Sequence, residues 1–329
     1  EYVLAHLTGE LVTDLSVASG TGLLDQRRLD WDEEALRLAG IDREQLAPLV
    51  APTHVLKTEL GVPVVVGAAD GPLANLGVGA IRPGVAACSI GTSGALRVMV
   101  GEPDVDPLGR VFCYALTRER WAVGGAINSG GAVLQWARDA LAPELSTAAL
   151  LELAATAPAG AGGLIMLPYV LSERAPHWTS LPTGAYIGLT RAHRREHLLR
   201  AAVEGICLQL ALVLRSLREA GVDVREVRAT GGFARSPFWR QVLTDALGLD
   251  IGFPEADEGS SFGAALLGMD ALGLIDGLDA AADLVRIARV HTPDPEAAAL
   301  YAGRLPLFAS LYDALTPAYE TLRAASHAT

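Results

Sequence analysis

The chain has 329 residues, half of them hydrophobic and 19% charged. That composition supplies apolar side chain for about two domains and excludes a disordered polymer. A formal charge of −12 without any basic patch excludes a nucleic-acid binder, which needs clustered cations to displace counterions from phosphate. Lys57 is the only lysine, so the phosphate loop G-x-x-x-x-G-K-[ST] is absent, and Lys57 itself lies in a polar stretch with no apolar pocket around it. Cys88, Cys113 and Cys207 lack C-x-x-C spacing and read as small buried thiols of a reducing, cytoplasmic compartment. The longest uncharged stretch, 154–172, is broken by Pro158 and Pro168, so no membrane helix is expected there.

Up to about residue 60 the chain reads as helical with polar turns: a loop over 16–22, then helices over 32–39 and 43–50. Residues 61–67 form a continuous apolar, β-branched run, the pattern of a strand buried on both faces. Strands follow at 86–90 and 95–100, paired as a hairpin, and at 121–125. A glycine-rich start at 128–131 opens a helix over 132–141, and 164–171 is strand-like. Residues 195–220 predict one long apolar helix. A strand at 224–230 breaks at Gly231-Gly232 before a helix over 236–247, with Ser236 as its cap and Pro237 at its first position. A strand at 251–253, a helix at 260–272 and a helical tail complete an α/β protein with mixed sheets.

Strand ends are where α/β proteins build sites. Asp70, between the 61–67 run and Gly71, either faces a cleft as a general base or caps the helix that Pro72 opens. Gly91-Thr92-Ser93-Gly94 is either a lysine-free anion nest or a plain hairpin turn. Gly231, Gly232 and Ser236 are either a shelf for a flat ligand or a tight strand-to-helix connection. His193 and His197 fit H-x-x-E-H, yet the segment also reads as the charged opening of an apolar helix. Gly77 and Gly79 read as close packing in a turn, 255–258 as a solvated acidic loop, and Trp136 and Trp239 as core.

The order of these features resembles the FGGY carbohydrate kinases. The most specific stretch is Gly184, Tyr186, Gly188 and Leu189 followed by His197, Leu198, Ala201, Ala202, Val203 and Glu204, which is similar to the C-terminal signature of that family. Three other stretches most resemble its gluconate kinases: Ala68 to Gly77 around Asp70, Ile90 to Ala95 with Arg97, and Ala229 to Ser236. The resemblance implies an actin-like ATPase (ribonuclease H-like) fold and ATP-dependent phosphorylation of a sugar acid, D-gluconate first, with xylulose or glycerol as other acceptors. A non-catalytic nucleotide or sugar binder of the same fold is the rival class. It implies that Asp70 is the base, that Gly91, Thr92 and Ser93 meet the ATP phosphates, and that Gly131 and Gln135 lie beside the nucleotide. Gly231, Gly232 and Ser236 would bracket the adenosine, and Mg2+ would enter with ATP. Gly71 joins Asp70 on the sugar side. Arg174, after a predicted strand, is either a contact to the sugar acid or an ion-pair partner of Glu173.

The expected division is residues 1–84 as the late part of the sugar-binding domain and 85–329 as the nucleotide domain with a helical tail. The Asp-x-Gly-Thr-type turn of the family's first half has no counterpart here. The chain is therefore expected to turn over slowly or not at all by itself and, with a sheet edge uncovered, to self-associate as a homo-oligomer.

Overall fold

The computed structural model describes residues 1–59, 61–103, 106–255 and 259–326; most of the acidic run 255–258 lies outside them. At its centre stand seven strands: β1 (Val85–Ile90), β2 (Gly94–Val100), β3 (Phe112–Ala115), β4 (Trp121–Ile127), β5 (Glu226–Thr230), β6 (Ile251–Pro254) and β7 (Ile287–His291). Their order across the sheet is β7-β6-β5-β1-β2-β4-β3. The pairs β6–β5 and β5–β1 are parallel, while β1–β2, β2–β4, β4–β3 and β6–β7 are antiparallel.

Alternation along the strands divides the core. Leu96 and Val98 of β2 face one layer, and Met99 faces the other. The first layer is filled by α4 (Arg195–Glu219), whose apolar residues run around most of its circumference, together with α2 (Gly131–Leu141) and α5 (Pro237–Leu247). By length and composition α4 could cross a membrane, but 89% of its apolar window is buried inside the protein. The second layer is α1 (Asp70–Gly77) against α6 (Gly259–Ala271). These two helices touch backbone to backbone: a Cβ on Gly77 would lie 1.6 Å from the Gly259 carbonyl oxygen, and one on Gly263 1.9 Å from that of Leu73. Gly77 and Gly79 thus serve close packing, as their spacing predicts.

A 32-residue C-terminal helix, α7 (Pro295–Ser326), closes the far side of α4. Its Tyr301 hydroxyl donates to Glu204 at 2.8 Å, deep in the core. Glu204 also accepts from the Arg200 guanidinium at 2.7 Å and from the Gly160 N–H at 2.8 Å. Arg304 reaches the Gly160 carbonyl at 2.5 Å. Every partner of the Glu204 carboxylate is therefore supplied inside the protein, which is the condition for burying a charge.

Several local expectations change. The run 61–67 is not a doubly buried strand: only Val64–Val65 pairs, antiparallel with Val55–Leu56. Val62 is 56% exposed, and Pro63 has no N–H for a ladder. The 16–22 loop contains a short helix, Leu15–Ser19, capped by Asp14, while 43–50 holds a 3-10 turn at Arg43–Gln45 and a two-residue strand, Leu49–Val50, paired in parallel with Thr13–Asp14, in place of a helix. Strands β3 and β7 were not anticipated. The middle of β7 is exposed on both faces, so it leaves no alternation to read. Trp239 is core, but Trp136 is 38% exposed beside Tyr186, because its helix turns that side outward. All three cysteines are buried.

Candidate active site

Two groups of residues gather at one end of the sheet. The first surrounds a cavity of about 920 Å3 between α2, α5 and the ends of β1 and β5. Gly91, Gly131, Gln135, Gly232 and Ser236 line it, with apolar walls from Leu134, Leu151 and Phe238. Thr92, Ser93 and Gly231 lie beside the wall rather than on it. Gly231 has φ +115°, and a Cβ there would come 2.4 Å from the Ile90 carbonyl oxygen, so only glycine joins β5 to its 3-10 turn this closely. Ser236 caps α5, accepting from the Trp239 N–H at 3.3 Å. The connection and the shelf are thus the same structure.

Gly91-Thr92-Ser93-Gly94 is the turn of the β1–β2 hairpin, clamped to the start of α2. The Gly131 N–H donates to the Gly91 carbonyl at 2.7 Å and the Ala132 N–H to that of Thr92 at 3.1 Å. Gly130 permits the contact, since a Cβ on it would meet the Ser93 backbone at 2.5 Å. With those carbonyls turned to the helix, the Thr92 and Ser93 side chains are exposed, and their hydroxyls bond to no described residue. They are available donors beside the cavity mouth.

The second group surrounds Asp70. The helix α1 begins at Asp70 itself, Ala69 is its cap position, and no side chain caps it. Asp70 is exposed, so its carboxylate is not consumed by helix capping. Buried Asn75, one turn further on, donates to the Arg97 carbonyl at 3.1 Å and pins α1 to β2. Gly71 lies over the Arg97 side chain: a Cβ there would sit 3.2 Å from Nε. Since Gly94 ends the hairpin turn and Arg97 follows three residues later, the two groups are separated by roughly 10 Å of strand.

Arg174 faces the same group, although its guanidinium forms no ion pair with the Glu173 carboxylate. Its Nε donates to Asn128 Oδ1 at 2.8 Å and an Nη to the Ile127 carbonyl at 3.2 Å. Glu173 instead accepts from Ser129 Oγ at 2.5 Å and from the N–H groups of Asn128 and Arg174 at 2.6 and 2.8 Å. Burial pushes its carboxyl upward, against those donors. Glu173 ties the Arg174 loop to the end of β4, directly before α2. Burial likewise raises the Tyr114 phenol, with the Arg174 and Arg97 cations opposing.

Asn75, Asn128 and Tyr114 are residues of this group that sequence reasoning passed over, while Arg97 entered it only within a stretch resembling the gluconate kinases and Glu173 only as a candidate partner of Arg174. Arg97 alone left a signal, a cation alternating into an otherwise apolar strand. The rings of His193 and His197 do lie 5.6 Å apart. However, each accepts from a backbone N–H, of Thr190 and of Arg194 respectively, and His193 Nε2 meets the Gly162 carbonyl.

A cleft that pairs an apolar, glycine-floored cavity with a hydroxyl turn and a free carboxylate suits a phosphotransferase. Residues 86–272 match the C-terminal domain of the FGGY family of carbohydrate kinases and residues 1–77 its N-terminal domain. The chain belongs to this family and has its actin-like ATPase fold. It is 42% identical to the gluconokinase of Bacillus subtilis (strain 168), over 94% of this chain and 65% of that protein. It is 32% identical to the xylulose kinase of the same organism, over 95% of this chain and 65% of that one. The crystal structure of gluconate kinase from Lactobacillus acidophilus superposes with a TM-score of 0.93 at 35% identity, covering 98% of this chain and 68% of the other. The chain thus spans 65% of the length of these two curated relatives.

Proposed function

We propose that the protein phosphorylates a sugar acid, D-gluconate first, giving 6-phosphogluconate and ADP from ATP. The observation that carries this reading is the Asp70 carboxylate, uncapped and exposed at the head of α1, one strand-length from the hydroxyl turn. Asp70 accepts the proton of the attacking hydroxyl as its oxygen bonds to the γ-phosphorus. The bond from that phosphorus to the β–γ bridging oxygen breaks, and ADP carries the electron pair away. Thr92 and Ser93 donate to phosphate oxygens, while Gly131, Gln135, Gly231, Gly232 and Ser236 hold the adenosine in the cavity. Magnesium arrives as part of the nucleotide substrate and neutralises charge developing between β- and γ-phosphates.

In this reading residues 1–84 contribute the base and the sugar side, and residues 85–329 the nucleotide side. The identities to gluconokinases support the acid acceptor, and the xylulose kinase relative makes xylulose the principal rival. A homo-oligomer belongs to the same reading, since the helix Tyr2–Thr8 buries none of its residues and leaves Tyr2 and Val3 exposed.

The test is an ADP-release assay with ATP, magnesium and either gluconate or xylulose. Gluconate is expected to be the better acceptor by kcat/KM, and a preference for xylulose rejects the acid reading. Asp70→Asn is expected to lower kcat by about 10²- to 10⁴-fold while ADP affinity by calorimetry stays unchanged. A loss of only a few-fold removes Asp70 from the base role.

A further inference from the structure

Arg97 is a charged side chain in a place that ordinarily excludes one. It sits midway along β2, a central strand, between Leu96 and Val98, which are buried in the opposite layer. Room has been made for it on both sides. Gly124 stands opposite on β4, where a Cβ would lie 2.9 Å from the Arg97 Cα and Cγ, and Gly71 leaves the space beside Nε. Yet its guanidinium forms no hydrogen bond and no ion pair with any described residue, and Nη1 is fully buried without a partner. A half-buried cation with one guanidinium nitrogen sealed from water and unpaired is unfavourable unless a ligand completes it. Burial lowers its affinity for the proton, and the Asp70 carboxylate opposes that effect from nearby without forming an ion pair.

We propose that Arg97 binds the carboxylate of the acceptor while Asp70 addresses the hydroxyl at its other end, making Arg97 the residue that distinguishes sugar acids from neutral sugars. The inference rests on the acid-acceptor reading above. Arg174 differs in having its Nε and one Nη engaged by Asn128 and Ile127, which leaves Arg97 with the full planar fork that matches a carboxylate. Asp70 and Arg97 are close enough to influence each other yet form no ion pair, which leaves both groups free for one small molecule between them. A neutral polyol in the same place would leave the guanidinium without its anion.

The experiment compares gluconate with glucitol, which carries a hydroxymethyl group in place of the carboxylate, by steady-state kinetics on the full natural chain. Arg97→Met removes the charge at similar volume. The expected result is a roughly 10- to 100-fold rise in KM for gluconate, with KM for ATP and kcat/KM for glucitol changed less than about three-fold. Arg97→Lys should recover part of the loss, because it restores charge without the fork. Equal losses on both acceptors, or an unchanged KM for gluconate, overturn the assignment of Arg97 and leave the acid reading standing. An unaltered protein that fails to prefer gluconate over glucitol overturns both. ADP binding by calorimetry reports whether the variant is folded. If Arg97→Met is not, Gly71→Ala supplies the second measurement: its methyl displaces the guanidinium, and gluconate must again suffer more than glucitol or the assignment falls.

Discussion

On the proposed reading, Thr92 is a phosphate contact built without lysine. Its carbonyl is fixed on α2 through the Ala132 N–H, so its hydroxyl is presented outward by backbone geometry rather than by a flexible side chain. Little ordering entropy remains to be lost on binding, which makes one hydroxyl effective. Thr92→Val preserves the shape and removes the donor. ADP affinity is then expected to fall by about 1–2 kcal/mol, or roughly 5- to 30-fold in Kd by calorimetry. An unchanged Kd would return Gly91 to Gly94 to the status of a hairpin turn. Position 92 was legible in the sequence because two glycines flank two hydroxyls. The role of Asn75 was not, because a buried asparagine in a helix announces nothing until the strand carbonyl it holds is known.

At the level of elements, the α1–α6 contact decides where Asp70, the proposed base, stands. Both helices are held together by glycine against backbone, so there is no side chain that can yield. Gly77→Ala drives a methyl group into the Gly259 carbonyl, and the helices must part. A loss of about 2–4 kcal/mol is expected, read as a fall in urea midpoint, together with loss of activity because Asp70 rides on the same helix. A variant as stable as the parent would show that the contact opens freely. The strands β1, β2 and β4 could be read directly, since each is a mostly apolar run bounded by glycine or polar residues, while β5 could be read from alternation, with Val227 and Ala229 buried between Glu226, Arg228 and Thr230. The 61–67 run carries the same composition and failed, because burial on two faces depends on layers that sequence composition does not specify. Position β7 failed for the opposite reason: an edge strand with solvent on both sides needs no hydrophobic pattern. The Glu173 bonds to Ser129 and Asn128 span more than forty residues, a distance over which no local pattern extends.

Across the whole molecule, the docking of α7 is expected to weaken in acid. His177 is stacked on Tyr312 of that helix, ring centroids 3.6 Å apart, and lies 3.4 Å from the Tyr169 hydroxyl. Burial pushes the imidazole down to about 4. The folded protein therefore binds this proton less readily than the unfolded chain, whose histidine titrates near 6.5. Stability contributed by the neutral ring is complete above that range and is lost as pH falls from about 6.5 toward about 4. Glu173, raised by burial, acts in the opposite sense through its own titration. The comparison that isolates the histidine is a melting series for the parent and His177→Phe. The parent should lose more melting temperature over this interval than the variant, and parallel curves would refute the role of His177.

The contacts of Glu204 also set an order of manufacture. Arg200 and Glu204 leave the ribosome together, but Tyr301 follows 97 residues later. At about 5–20 residues per second this is a delay of roughly 5–20 seconds. During that interval Glu204, at the heart of α4, has Arg200 and Gly160 but lacks the Tyr301 hydroxyl, and the apolar surface that α7 will cover stands open to chaperones and proteases. Synthesis of α7, rather than formation of the sheet, becomes the event that seals the core. Nascent chains arrested before Tyr301 should remain open to limited proteolysis within α4, and emergence of α7 should close that site.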